Sequence, residues 1–394
     1  MIDTTTAQST ETHSVRVHAT NIIGLGAMQL VQSLLPAMEQ LDSYELNTIY
    51  LPARGTLAAY GAVRSSTNLV RRKRYLPNSI SRILECTLFA RRFEGDGRLL
   101  VLGDIPLRCK GPQTVFVQTP LLTKNAASNR KIGVIKYLIA RSLFRLNAPF
   151  ASAFIVQTEA MKRALSETYP EISARIHVIG QPAPGWLLAA GLKRTGVVPR
   201  NAPGLKLFYP AAGYPHKNHR LLSRVESGEN HTWPVSSLTL TIEKDLHPSP
   251  KTGWIKCVGR LEPADVLSMY RTVDGLLFLS LSESFGFPLV EAMWIGLPII
   301  CPDLPYSRVL CGDQAIYFDP ESVSSLHAAV IQLDEKLKAG WWPDWREPMK
   351  AIPESWSAVA ASMLRVTVGQ DGDGASARTN KDELQNACNK PDAV

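Results

Sequence analysis

Short apolar runs, closed by glycine, proline or polar residues, recur along the chain and alternate with longer segments of helical periodicity. Such runs are typical of strands buried on both faces of a parallel sheet, and the segments between them predict crossover helices. The first series of predicted strands is 15–19, 46–51, 99–102, 115–117, 154–156 and 177–179. The helices predicted between them are 27–40, 79–93, 132–146 and 159–169.

A second series of apolar runs follows a stretch rich in proline and glycine at 181–185 and 199–204, which predicts an interdomain connection. Its predicted strands are 205–209, 238–242, 255–258, 275–279, 298–301 and 316–318. The pattern therefore predicts an α/β protein with two doubly wound, Rossmann-like domains. Because ligands bind at the carboxyl ends of such strands, we expect a site in a cleft between the domains.

The length of 394 residues allows two domains, each with its own core. We predict an N-terminal domain over 15–183 and a C-terminal domain over 184–368. A helix predicted at 355–366 carries Trp356, Val359 and Met363 at helical spacing. The polar ends, 1–14 and 369–394, predict disordered tails.

One predicted strand-to-helix turn carries two carboxylates, Glu283 and Glu291, with seven residues between them. Pro288 suits a first helical turn, and the backbone amides of Ser284, Phe285 and Gly286 are expected at the positive end of that helix. A diphosphate fits such a place. Glu291, expected in the first turn, can accept hydrogen bonds from two vicinal hydroxyls. A dipole-favoured surface glutamate is the alternative for that residue.

This turn resembles the donor-binding block of retaining glycosyltransferases of the GT-B fold, glycosyltransferase family 4. The residues that carry the resemblance are Tyr270, Glu283, Phe285-Gly286, Glu291-Ala292-Met293 and Gly296-Leu297-Pro298. The resemblance implies transfer of a hexose from a nucleoside-diphosphate sugar, with UDP or GDP as the nucleotide. It further implies that Glu291 binds the ribose, that Glu283 contacts the sugar, and that neither a metal nor another cofactor is needed.

Two further segments contribute donor-binding residues in the resembled family. Lys217 lies in Gly-x-x-x-His-Lys-Asn and is expected beside the donor phosphates, where charge develops as the diphosphate leaves. The Arg that usually precedes this Lys is absent, which puts a two-cation clamp in doubt. Gly24 and Gly26 follow the first predicted strand and are expected to border the diphosphate, although such glycines also relieve crowding between a strand and a helix.

The main departure from the family lies after the predicted strand 115–117. Many members have a His there that contacts the transferred sugar, whereas this chain has Gln118. An amide cannot act as a base, so we expect Gln118 to orient the sugar or, alternatively, to satisfy the backbone at the strand end.

The net charge of +8 is concentrated in the N-terminal half. Residues 1–183 contain 22 Lys and Arg against 12 Asp and Glu, while the remainder contains 21 against 23. No nucleic-acid-binding motif accompanies the cations, so we expect no nucleic acid. A glycan or polyprenyl-pyrophosphate-linked acceptor and an anionic membrane surface fit better, with a solvated positive face as the alternative.

The remaining features indicate the compartment and the open alternatives. Six scattered cysteines without a CxxC pair, and no signal-peptide pattern, predict a cytoplasmic protein. The basic N-terminal half is the reason to expect it as a peripheral protein on the inner face of the membrane. The function expected is hexosyl transfer in surface polysaccharide assembly. A catalytically silent GT-B scaffold that binds a nucleotide sugar, or a GT-B nucleotide-sugar epimerase, stays open as an alternative, because Gln118 and the missing Arg depart from the family pattern.

Overall fold

A computed structural model describes residues 13–22, 24–123, 131–197, 203–225 and 232–370. The predicted tails lie almost entirely outside the described residues, although the first strand already begins at His13. The described chain forms two parallel sheets with helices on both faces, as the alternating pattern predicts.

The first domain contains a seven-stranded parallel sheet in the order β3-β2-β1-β4-β5-β6-β7. The strands are β1 (His13–His18), β2 (Tyr44–Pro52), β3 (Asn68–Arg72), β4 (Arg98–Val101), β5 (Gln113–Phe116), β6 (Ala153–Val156) and β7 (Ile176–Val178). Six of them match the predicted runs within three residues. The sequence pattern missed β3, because this edge strand is half exposed and two of its five residues are arginines.

The helices of this domain cover the two faces of the sheet. They are α1 (Leu25–Glu39), α2 (Asn78–Cys86), α3 (Lys131–Asn147) and α4 (Glu159–Thr168). α1 packs on one face, whereas α2, α3 and α4 pack on the other. The helix predicted at 79–93 is broken, since α2 ends at Cys86 and a 3-10 turn follows at Ala90–Phe93.

The second domain contains a six-stranded parallel sheet in the order β10-β9-β8-β11-β12-β13. Its strands are β8 (Leu205–Tyr209), β9 (Val235–Leu240), β10 (Ile255–Cys257), β11 (Gly275–Leu277), β12 (Ile299–Pro302) and β13 (Ile316–Phe318). All six match the predicted series. One continuous apolar core joins this sheet to its helices.

The helices after β7 are α5 (Gly185–Ala190), α6 (Pro263–Thr272), α7 (Phe287–Ile295), α8 (Pro305–Cys311), α9 (Val323–Lys338), α10 (Arg346–Met349) and α11 (Trp356–Val368). The last of them, α11, returns to the first domain and packs beside α1. Trp356 fixes its start by donating from Nε1 to the Ala183 carbonyl at 3.2 Å. The predicted range 184–368 therefore includes a helix that belongs to the core of the other domain.

The helices are short compared with a bilayer. In the described part of the chain, none is both long and apolar enough to cross a membrane.

Candidate functional site

The carboxyl edges of the two sheets face each other across a cleft of about 710 Å³ that residues of both domains line. This is where open parallel sheets bind ligands. The predicted site residues that line the cleft are Gly26, Gln118, Lys217, Glu283, Ser284, Phe285, Gly286 and Glu291. The structure thus gathers in one place residues that are far apart in sequence. Gly24 does not line the cleft and forms the N-cap of α1.

Lys217 and Glu283 meet because the strands that precede them are neighbours. β8 pairs with β11, and both residues follow the carboxyl ends of these strands. Lys217 Nζ lies 2.5 Å from Glu283 Oε1, and both side chains are largely buried. The lysine backbone is fixed as well, since Tyr209 Oη donates to the Lys217 carbonyl at 2.8 Å. The pair forms a fixed ammonium-carboxylate couple at the cleft wall, where an incoming phosphate would compete for the lysine.

The turn from Ser284 to Gly286 opens α7 toward the cleft. Gly286 is the N-cap residue with φ of 90°, a conformation that favours glycine, and it supplies no side chain to bond the first helical amides. Phe285 is 2% exposed and packs edge-on against Phe287, so its ring belongs to the core, and the residue also lines the cleft. An uncapped helix start that lines a cavity suits an anionic group.

Glu291 differs from the expectation in position and in burial. It is the fifth residue of α7 and lies in the second turn rather than the first. It is 5% exposed, so the interpretation as a surface glutamate is wrong. Its Oε2 accepts a hydrogen bond from Tyr270 Oη at 2.7 Å. Burial raises the pKa of Glu291 to about 7, although hydrogen bonds from Tyr270 and Gln29 oppose the shift.

Gln29 lies on α1 of the first domain, so its bond to Glu291 crosses the cleft. A second bond across the domains runs from Thr158 Oγ1 to the Ser284 carbonyl at 3.2 Å. The same hydroxyl caps α4 by accepting from the Met161 amide at 3.1 Å. Side chains of the first domain therefore hold two positions of the second domain, Ser284 and Glu291, that are predicted to bind the donor.

Gln118 is tied to the backbone on both sides. Its Nε2 donates to the Leu102 carbonyl at 2.9 Å, and its own amide donates to Asp104 Oδ1 at 2.6 Å. Asp104 has φ of 66° and also pairs with Arg82, so its carboxylate is turned toward the protein. These bonds agree with the alternative expected for Gln118, a strand-end residue that satisfies the backbone. Its catalytic role stays a prediction, and its side chain still lines the cleft.

Gly24 and Gly26 stand at the start of α1. A Cβ added to either would meet no atom within 4 Å. The described part of the chain therefore leaves room for a side chain at both positions, and crowding between strand and helix does not explain the two glycines. Contact with a donor diphosphate remains a prediction for both.

The positive charge of the cleft is limited to Lys217 and Arg260 in the part of the chain that the structure describes. No arginine occupies the positions before Lys217, which are Ala211 to Tyr214. His216 stacks on Tyr214 with ring centroids 5.7 Å apart, and His219 lies buried against Tyr209. Burial and the charge of Lys217 lower the pKa of His219 to about 4, so this ring is neutral at pH 7.

Among the described residues, no group of three or more His, Cys, Asp or Glu side chains could hold a metal ion. The expectation that no metal is needed stays a prediction.

Two residues of the site were absent from the sequence-based set. Tyr270 belongs to the resembled block but was assigned no role, and Gln29 carries no motif at all. For Tyr270, the available signal was its spacing before the strand and the two glutamates. Nothing local marks Gln29, because its partner belongs to the other domain.

Comparisons with known proteins agree with this geometry. A family model described as Glycosyl transferases group 1 matches residues 252–338, a range that includes Glu283 and Glu291 but neither Lys217 nor Gln118. The chain is 29% identical over 82 residues to O-antigen chain mannosyltransferase B of Escherichia coli, covering 21% of this chain and 22% of that protein. It is 31% identical over 140 residues to the phosphatidyl-myo-inositol mannosyltransferase of Mycolicibacterium smegmatis, covering 33% and 36%. The aligned parts thus span well under half of these relatives.

Similarity among solved structures extends over nearly the whole chain. The sucrose-phosphate synthase of Thermosynechococcus elongatus superimposes with a TM-score of 0.61 at 11% identity, covering 90% of this chain and 98% of that one. The likeness shows the fold, and the prediction of two Rossmann-like domains in the GT-B arrangement is confirmed.

Proposed function

We propose that the protein is a retaining glycosyltransferase that moves a hexose from a nucleoside-diphosphate sugar to a hydroxyl of a glycan or a lipid-linked oligosaccharide. The observation that carries the proposal is the convergence of Lys217, Glu283 and Glu291 on one cleft between the two domains. A family match over 252–338 supports the donor side of this assignment.

The donor is bound mainly by the second domain. Glu291 accepts hydrogen bonds from the two ribose hydroxyls, for which Tyr270 keeps one of its oxygens in place. The backbone at Ser284 to Gly286 and the uncapped start of α7 bind the diphosphate. Lys217 leaves its bond to Glu283 and stabilises the charge on the departing diphosphate, which frees Glu283 to accept from a sugar hydroxyl.

Transfer with retention needs no base from the protein in this proposal. The bond from the anomeric carbon to the phosphate oxygen breaks, and the acceptor oxygen bonds to that carbon from the same face. The acceptor proton passes to an oxygen of the leaving phosphate. Gln118 is consistent with this route, since an amide neither takes nor gives a proton near neutral pH. Closure of the cleft excludes water, the competing acceptor.

The names of the two relatives guide the choice of sugar and acceptor. Both are mannosyltransferases, one of an O-antigen chain and one of a phosphatidylinositol, so mannose from GDP-mannose is the first donor to test. We propose a role in surface polysaccharide assembly at the inner face of the membrane, with a lipid-linked acceptor.

A panel of UDP- and GDP-sugars tests the proposal through release of nucleoside diphosphate and the anomeric configuration of the product. Release that depends on added acceptor, with retained configuration, is the expected result. A silent scaffold would bind a donor without turnover, and an epimerase would convert the sugar without acceptor. Inversion at the anomeric carbon would overturn the retaining mechanism while leaving transfer intact.

A further inference from the structure

The cleft extends beyond the residues to which the proposed function assigns the sugar, the diphosphate and the ribose. Tyr270, which bonds Glu291, belongs to α6, and Val266 lies one turn earlier on the same face of that helix. Val266 and Pro263, the first residue of α6, both line the cleft. The cleft wall therefore runs on from the predicted ribose site at Glu291 to the start of α6.

The strand order determines which side of the cleft is left for the nucleobase. β8 leads to Lys217, and its neighbour β11 leads to the start of α7, where the proposed function places the diphosphate. β9 and β10 lie on the other side of β8, and the loops that follow them line the cleft at 241–243, 246 and 260–263. A donor with its diphosphate at α7 therefore directs its nucleobase toward these two loops. We call them the base end of the cleft.

Apolar side chains at the base end can contact the face of a flat ring. Leu246 is 51% exposed although it lines the cleft, and it leans over Gly213, where an added Cβ would lie 2.7 Å from Leu246 Cδ1. Ile242, Leu261 and Val266 line the same end. Such a surface binds any nucleobase, so the choice between bases depends on the polar groups beside it.

The Glu243 carboxylate is the unpaired charge at the base end. Arg260 Nε and Glu262 Oε1 lie 3.8 Å apart, so these two charges offset each other. The Glu243 carboxylate, by contrast, forms no ion pair or hydrogen bond with any residue that the structure describes. Both of its oxygens lie 3.4 Å from the position that a Cβ on Gly259 would take, so the carboxylate is beside the turn that follows β10. Its acceptor oxygens are therefore available to a ligand in the cleft.

We propose that Glu243 selects guanine, which makes the donor a GDP-sugar. Guanine presents two adjacent donors, N1–H and the N2 amino group, and a carboxylate can accept from both at once. Uracil presents one N–H between two carbonyl oxygens, and adenine and cytosine each have an acceptor nitrogen beside their amino group, so a carboxylate meets a repelling acceptor on all three. The inference rests on the proposed function for the position of the diphosphate and the ribose. It adds the group that chooses the nucleotide, a choice supported there only by the names of relatives.

Titration calorimetry of the full-length protein with GDP, UDP, ADP and inosine diphosphate tests the inference without any sugar or acceptor. Wild type should bind GDP about tenfold or more tightly than UDP or ADP. Inosine diphosphate should lie between, because its base keeps N1–H and lacks the amino group. Glu243→Gln should lose about tenfold or more in GDP affinity. It should lose little or nothing for UDP, since an amide can accept from the uracil N–H and donate to the neighbouring carbonyl.

The matched control is Asp245→Asn. It removes one negative charge from the same loop at a residue outside the cleft lining. All four affinities of this variant should equal those of wild type, so a general effect of charge on nucleotide binding is distinguished from a contact with the base.

Two further measurements separate guanine selection from the proposed function. Glu291→Gln should weaken the binding of all four nucleotides by a similar factor, because they share the ribose, so an error in the ribose assignment shows there and not in the choice of base. GDP binding that depends on Glu243, in a protein that transfers no sugar, would contradict the transferase activity and support guanine selection. Wild-type affinity for GDP no greater than for UDP or ADP, or an unchanged ratio of GDP to UDP affinity in Glu243→Gln, would overturn guanine selection.

Discussion

Two buried carboxylates, one in each domain, respond to burial in opposite ways. Glu85 of the first domain is 8% exposed and bonded to His18 Nε2 at 2.8 Å, to Arg74 at 2.9 Å and to the Thr20 hydroxyl. Burial raises its pKa, but the bonds from His18 and Thr20 and the charges of His18 and Arg74 outweigh this and bring it to about 2. Glu291 is equally buried yet has only neutral partners, and its pKa is about 7.

The difference separates a structural carboxylate from a candidate for ligand binding. Glu85 has a nearby cation for its charge in the unliganded fold, so ionisation stabilises the native state. Glu291 has only neutral partners, and its ionised form gains hydrogen bonds when hydroxyl donors enter the cleft. Residues held in a costly protonation state within a cleft are candidates for function, which agrees with the assignment of Glu291 to the ribose.

Replacement of Glu291 by Gln is expected to have the largest effect on activity. An amide offers one acceptor oxygen instead of two and carries no charge, so we expect donor kcat/KM to fall by about a hundredfold or more. Stability should not fall. Because the folded pKa lies above the unfolded value of 4.5, ionisation costs stability as the pH rises from about 4.5 to 7. The melting temperature of the variant should therefore rise relative to that of wild type across that pH range. Activity within a few fold of wild type would refute the ribose assignment.

Glu85→Gln should show the reverse pattern. Loss of the carboxylate leaves Arg74 buried without its counter-charge, which costs about 3 kcal/mol of unfolding free energy at pH 7. Because the folded pKa of about 2 lies below the unfolded value, this stabilisation is complete above pH 4.5 and is lost as the pH falls toward 2. Urea denaturation at pH 7 and pH 3 measures the change. Nucleotide affinity at low temperature should match wild type, and a large loss of affinity in a folded variant would contradict a purely structural role.

The sequence predicted the strands and turns around the two carboxylates better than it predicted their protonation states. Strands such as β11 and β12 could be predicted because they are continuous apolar runs. The turn from Glu283 to Glu291 could be predicted because a strand ends before it and a helix with proline in its first turn follows. The edge strand β3 was missed because its arginines break the apolar pattern.

The environments of the two carboxylates depend on partners that local patterns do not reveal. His18 is 67 residues from Glu85, and Gln29 reaches Glu291 from the other domain. Position along the chain therefore predicted the strand-to-helix turn that carries Glu291, whereas the protonation of both carboxylates follows only from the packed structure.

The pH dependence of turnover gives a third, smaller effect. If the ionised form of Glu291 binds the ribose, donor kcat/KM should rise with pH and level off above about 7, by up to tenfold for each pH unit below the inflexion. The variant Glu291→Gln is the control, since its residual activity should lack this inflexion. An unchanged inflexion in that variant would assign the titration to another group.

Tyr270→Phe provides the finest test, because it alters the pKa of Glu291 without removing the carboxylate. Tyr270 Oη bonds Oε2 at 2.7 Å and lowers the pKa against the larger effect of burial. Without this bond the carboxyl should stay protonated to a higher pH, so the inflexion in kcat/KM should move upward by about half a unit to one unit. Activity should then be several-fold lower at pH 6.5 and close to wild type at pH 9. A uniform loss at every pH would mean that the phenol acts on the donor directly, and a downward shift would mean that burial is not what keeps Glu291 protonated.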